Sequence, residues 1–205
     1  MATVTSPPPV ALPGPLYRLS LDLYHRMAAL GLLTPADRVV LLDGLLVKKM
    51  TKGPRLATSA QKSVKTLEAI LPAGWHVRKE DPVTLRDGPT GASSEPEPDV
   101  AVVRGALGNY TACHPGPAET ELIIEVADSS LAVDRLALRR YAWASIPCVW
   151  IVNLVDEVVE VYSRPSGPCD DPGYADRTVF GPGDSIAVTI DGTTCGRVAV
   201  TDLLP

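Results

Sequence analysis

The sequence predicts an α/β fold: a mixed β-sheet flanked by helices, with extra short strands toward the C-terminus. Three observations carry this. Val100-Ala101-Val102-Val103 and Leu122-Ile123-Ile124 are continuous apolar runs, the pattern of strands covered on both faces. Leu56, Ala60, Val64, Leu67 and Leu71 fall on one stripe at helical spacing, so helices are available to cover them. The chain has 205 residues, 45% of them hydrophobic, which supports a sizeable core and argues against disorder beyond the ends.

Residues 1–15 are Pro-rich and polar and read as a disordered or extended tail; residues 16–205 read as a single domain. Ser20 is a helix N-cap, followed by Leu23, Met27 and Leu30 at helical spacing, with Gly31 as the stop. Val39–Leu42, Asp43-Gly44 and Leu45–Val47 form a hairpin with a two-residue turn. The helix of the Leu56 stripe ends at Pro72 and Gly74. Strands are expected at Trp75–Lys79, Val83–Arg86, Val100–Val103 and Leu122–Val126, with Asp87–Pro98 as a long Gly-, Pro- and Ser-rich loop. Asp128-Ser129-Ser130 can cap a helix from Leu131 to Ala144, which carries Leu131, Leu138, Tyr141 and Ala142 on one side. Ser145 then stands where a left-handed residue ends a helix. Val149–Leu154 and Glu157–Ser163 pair around Val155-Asp156. Short strands between Tyr174 and Val200 are split by Gly181-Pro182-Gly183-Asp184 and Asp191-Gly192.

No apolar run approaches a membrane span, and the first residues show neither a basic nor an apolar signal region, so a cytoplasmic protein without a membrane partner is expected. Cys113, Cys148, Cys169 and Cys195 are widely spaced with no C-x-x-C, which argues for free thiols and against a zinc cluster. A net charge of −5 does not favour a nucleic-acid partner, but local patches decide. Arg135, Arg139 and Arg140 form one basic cluster. Lys48, Lys49, Lys52 and Arg55 form another, and a solvated helix or turn face is the plain alternative for both.

Two carboxylates stand against the apolar runs. Asp99 closes Glu95-Pro96-Glu97-Pro98-Asp99 just before Val100, and Glu125 follows Leu122-Ile123-Ile124. A carboxylate beside a buried strand is costly unless compensated. Two brought side by side repel each other, and a divalent cation is a common remedy. Read locally, Asp99 is a turn residue after proline and Glu125 an ion-paired edge carboxylate. Glu80 is read as part of a surface charge cluster, and a third site carboxylate is the other option. His25, His76 and His114 are scattered and read as surface or capping residues. Tyr141, Trp143 and Trp150 read as core or interface.

The order Pro98-Asp99, strand, then Glu125 in a second strand resembles the PD-(D/E)-x-K nuclease superfamily. More narrowly it resembles a restriction-endonuclease branch often described as a domain of unknown function. The pieces that carry the resemblance are Leu42-Asp43-Gly44, Glu95 to Val100, Ile124 to Leu131, Asp134-Arg135, Tyr141-Ala142 and Trp150-Ile151-Val152-Asn153. The resemblance implies a restriction-endonuclease-like fold and a metal-dependent DNA endonuclease. Asp99 and Glu125 would then be catalytic carboxylates and the ligands of Mg²⁺ or Mn²⁺, weakly bound. DNA is the implied partner, and a homodimer is left open.

The chain departs from that pattern at three polar positions. The branch usually has a lysine on the helix after the Glu strand. Counting from Asp134 lands on Leu138 and counting back from Tyr141 lands on Ala137. Val40-Leu41 stands where a glutamate often precedes the Asp-Gly turn. Arg55-Leu56-Ala57 stands where a histidine often opens the next helix. Arg139 is the residue expected to reach in place of the lysine, with Arg135 one turn earlier. Impaired or lost catalysis is therefore expected. The alternative is a catalytically degenerate nuclease fold that binds nucleic acid or a protein partner.

Overall fold

A computed structural model of the chain describes residues 14–128 and 131–205. Its centre is a six-stranded sheet in the order β3-β4-β5-β6-β7-β8: Trp75–Lys79, Val100–Arg104, Thr120–Ala127, Cys148–Asn153, Val158–Pro165 and Tyr174–Phe180. Every neighbouring pair is antiparallel except β5 and β6, so the sheet is mixed as expected. A parallel pair requires a crossover, and helix α3 (Leu131–Trp143) supplies it between β5 and β6. The strands of the Asp99 and Glu125 segments, β4 and β5, are direct neighbours, with Val100 opposite Ile124.

The apolar runs of β4 and β5 are buried on both faces because alternate residues enter two different cores. Val100, Val102, Leu122, Ile124 and Val126 join one, covered by α2 (Pro54–Glu68) and by the hairpin β9–β10 (Ser185–Ile190, Thr193–Ala199). Ala101, Val103, Ile123 and Ala127 join the other, under α3, where Tyr141 packs. With a side-chain period of two, Asp99 and Glu125 both belong to the α3 face. Burial of this kind, at about 25 cal/mol per Å² of apolar surface, fixes the register: a one-residue slip of β5 would move Ile123 and Ala127 to the other face.

Helix α1 spans Leu21–Ala29, and its first turn is capped by the Ser20 hydroxyl, which accepts from the Leu23 N–H at 3.2 Å. Strands β1 (Val39–Leu42) and β2 (Leu45–Lys48) form the expected hairpin. Its turn residues Asp43 and Gly44 have φ of 49° and 75°, the left-handed pair such a turn needs. Adding a side chain at Gly44 would meet Arg18 Cβ at 2.7 Å, so glycine is also required by space. Ser145 does end α3 in the left-handed region, at φ 60°.

One expectation changes. Val83–Arg86 is not a strand of the sheet; only a single bridge, Leu85 to Ser94, pairs it. Val83 and Leu85 are buried, but Pro82 precedes them and Pro96 and Pro98 interrupt the segment opposite, so no ladder can propagate. The loop 87–98 is tied to this segment and to the hairpin: Glu95 N–H donates to Leu41 O at 2.7 Å and Asp43 N–H to Ser94 Oγ at 2.8 Å. The short C-terminal strands are present as expected. β8 is the edge strand of the main sheet, and only β9 and β10 form a separate hairpin. The capping residues Ser129 and Ser130, and residues 1–13 of the expected tail, lie outside the described residues.

Candidate active site

Asp99 and Glu125 meet at the point where β4 begins beside β5. One residue before the Val100–Ile124 pair, Asp99 stands opposite Glu125. The two residues are linked through their strands. Asp99 Oδ2 accepts the Val126 N–H at 2.7 Å, and the Asp99 N–H points to Glu125 Oε2 at 3.4 Å. Asp99 is only 6% exposed. The sheet therefore holds two carboxylates in register on one face, which no local turn or edge role requires.

Two further side chains complete the cluster. Tyr141, 1% exposed on α3, donates its hydroxyl to Glu125 Oε1 at 2.6 Å. Burial first, and the adjacent Glu125 charge second, push the Tyr141 phenol well above its usual pKa, so it remains a donor. Lys52, in the connection between β2 and α2, donates to Asp99 Oδ1 at 2.5 Å. Its ammonium also lies 3.4 Å from Glu80 Oε1. Burial pulls the Lys52 pKa down, but the hydrogen bond and charge of Asp99, with help from Glu80, outweigh it and raise the pKa. Glu80 ends β3 at φ 55°, an uncommon backbone for a glutamate, and its N–H donates to Asp99 O at 3.3 Å.

The structure does not bring Arg139 to these carboxylates. Its guanidinium pairs with Asp171, and its side chain is 45% exposed. The reason is helical phase: Arg139 stands about 200° round the helix from Tyr141, the residue that meets Glu125. The positions in phase with Tyr141 are Ala137 and Leu138, and both pack against the α3-side core. The other two arginines of that cluster are likewise committed. Arg135 pairs with Glu160 of β7 at 2.5 Å, and Arg140 with Asp43 of the hairpin turn at 2.8 Å. Arg135 and Arg140 thus clamp α3 to the sheet and to the hairpin. At the remaining departures, Val40 is buried, Leu56 packs into the α2-side core, and Arg55 binds Asp128 and the Leu154 carbonyl, each at 3.1 Å.

Sequence reasoning therefore missed Lys52 and Tyr141 as site residues. Lys52 lies 47 residues before Asp99 and carries no local signal. Tyr141 was legible as core, but its hydroxyl's target was not. Glu80 does sit in a charge cluster with Lys52 and Lys79, and that cluster borders the site.

As a cation site the arrangement has the right donor chemistry, since two hard carboxylate oxygens sets lie side by side. It is sparse: among the described residues no group of three or more His, Cys, Asp or Glu is arranged to hold a metal ion. Two carboxylates would leave most positions of a divalent cation to water, and the Lys52 ammonium stands on Asp99 Oδ1. Among the described residues no helix is long and apolar enough to cross a membrane.

No curated protein matches this chain. Among solved structures it is similar to a protein from Anabaena variabilis ATCC 29413, described as "a putative nuclease belonging to DUF820". The TM-score is 0.62 at 17% identity, over 90% of this chain and 97% of that one. At that identity the likeness shows a shared fold. Residues 21–195 match the model of the Uma2 family, described as "Putative restriction endonuclease". A match over that much of the chain identifies this protein as a member of the Uma2 family.

Proposed function

We propose that this protein is a divalent-metal-dependent phosphodiesterase acting on DNA, with slow turnover. The observation that supports this most directly is the registered pair Asp99 and Glu125, fixed by the Val126 N–H on one side and the Tyr141 hydroxyl on the other. Asp99 and Glu125 would hold Mg²⁺ or Mn²⁺, which when bound supplies a Lewis acid for the phosphate and a lower pKa for a water. The chain's own residues orient and hold. The Val126 N–H fixes Asp99, and Tyr141 fixes the rotamer of Glu125 and remains a neutral donor. In the hydrolysis, a water oxygen forms the new P–O bond and loses a proton to solvent. The P–O ester bond breaks, and the leaving oxygen takes a proton from solvent water.

Turnover is slow because, among the described side chains of α3, Ala137 and Leu138 stand where an amine would face the site, and a fixed donor at developing charge is worth roughly 100-fold or more in rate. The same observation favours a second reading, a degenerate nuclease fold that binds DNA without cutting it. Calorimetric titration of Mn²⁺ into wild type and Asp99→Ala, with cleavage of generic duplex DNA in Mn²⁺, tests both. We expect weak binding that Asp99→Ala removes and slow cleavage that Glu125→Gln abolishes. Identical isotherms would refute the metal site. Binding without any cleavage would select the second reading.

A further inference from the structure

We propose that Lys52 is the phosphate-contacting cation of this site, delivered from the β2–α2 connection rather than from α3, and that residual turnover depends on it. The inference rests on the reading of Asp99 and Glu125 as a hydrolytic pair. Lys52 is the basic side chain seen on Asp99, at 2.5 Å from Oδ1, and the α3 positions in phase with Tyr141 are apolar. From one position the ammonium meets two carboxylates: Asp99 at 2.5 Å and, at 3.4 Å, Glu80, a left-handed residue just after β3. A non-glycine residue held in that conformation is uncommon, and such positions recur at ligand clamps.

A second carboxylate matters for a lysine that must share Asp99 with a cation. When a cation takes Oδ1, Lys52 withdraws toward Glu80 and stays at the rim of the site. There its flexible stem and three donors reach a phosphate oxygen as a point charge. Lys52 lies in the irregular segment between Lys48 and Pro54, and its ammonium already stands within 3.4 Å of Glu80, so the shift asked of its flexible stem is short. Lys52 therefore opposes the cation at Asp99 while serving the reaction beside it, and these two effects have opposite signs when it is removed.

The test uses the full-length protein and Lys52→Met, Lys52→Arg and, as a same-loop control, Lys49→Met, whose lysine pairs with Glu97. Thermal melting checks that each is folded. Mn²⁺ alone is titrated by calorimetry, and cleavage of duplex DNA is followed in saturating Mn²⁺. Lys52→Met should bind Mn²⁺ about threefold or more tightly, because a competing positive charge is gone. It should also cut about 100-fold more slowly. Lys52→Arg should fall between, and Lys49→Met should match wild type in both. Tighter Mn²⁺ binding with undiminished cleavage would reduce Lys52 to a plug and overturn the proposal, as would a wild type that binds Mn²⁺ and cuts nothing. If Glu125→Gln cuts as fast as wild type, the hydrolytic pair itself is misassigned. If Glu125→Gln is dead and Lys52→Met is fully active, only the role of Lys52 fails.

Discussion

Glu160→Gln should destabilise the protein by about 2 kcal/mol at neutral pH, and the loss should shrink in acid. Glu160 is buried in β7, 1% exposed, yet charged. Arg135 of α3, Arg177 of β8 and the Tyr162 hydroxyl all donate to its carboxylate. Burial alone would raise its pKa, but these donors outweigh it and bring the pKa from 4.5 down to about 2. One pKa unit is 1.36 kcal/mol, so the fall corresponds to roughly 3 kcal/mol. Arg135 and Arg177 are 43% and 48% exposed, and solvent screening of their charges reduces this to about 2 kcal/mol.

A depressed carboxylate pKa stabilises the fold above the unfolded value, here 4.5, and that stabilisation is lost as pH falls toward about 2. The gap between wild type and Glu160→Gln should be complete at pH 7, and less than half of it should remain at about pH 3. Urea unfolding across this range measures it, and at pH 7 the melting temperature should drop by roughly 4–8 °C. A gap that is absent at pH 7, or that is unchanged between pH 7 and pH 3, would refute the account of Glu160 as a charged clamp for α3.

Tyr141→Phe should lower stability by about 1–2 kcal/mol, the cost of removing a donor from a charged carboxylate, and should also weaken Mn²⁺ binding because Glu125 loses its fixed rotamer; an unchanged isotherm would separate Tyr141 from the site. Arg139→Ala should change stability by no more than about 0.5 kcal/mol and leave Mn²⁺ binding unaltered, since its pair with Asp171 is exposed; a loss of metal binding would return Arg139 to the site. Arg140→Ala should cost about 1 kcal/mol in urea unfolding, because its pair with Asp43 is partly sheltered and ties α3 to the hairpin. Leu138→Lys or Ala137→Lys should raise cleavage over wild type wherever the new amine faces Glu125, at a measurable cost in melting temperature from the core contact it gives up.

The layers were legible in the residues themselves, and the carboxylate pair through the resemblance to a family. Continuous apolar runs bounded by turn residues suit strands buried on both faces. Read locally, Asp99 and Glu125 were a turn residue and an edge carboxylate; the shared order of motifs pointed to a pair, and the register of β4 on β5 sets them opposite each other. Asp43-Gly44 was equally legible, because the turn chemistry of a two-residue hairpin is local. Tertiary structure decided which cations go where. Arg135, Arg139 and Arg140 look alike in sequence, yet helical phase sends them to Glu160, Asp171 and Asp43. Lys52 looked like one member of a solvated run, yet the packing of the hairpin and α2 beside β4 sets its ammonium on Asp99. A long charged side chain has no periodic signature, because its partner is chosen by whatever carboxylate the folded chain brings within its reach.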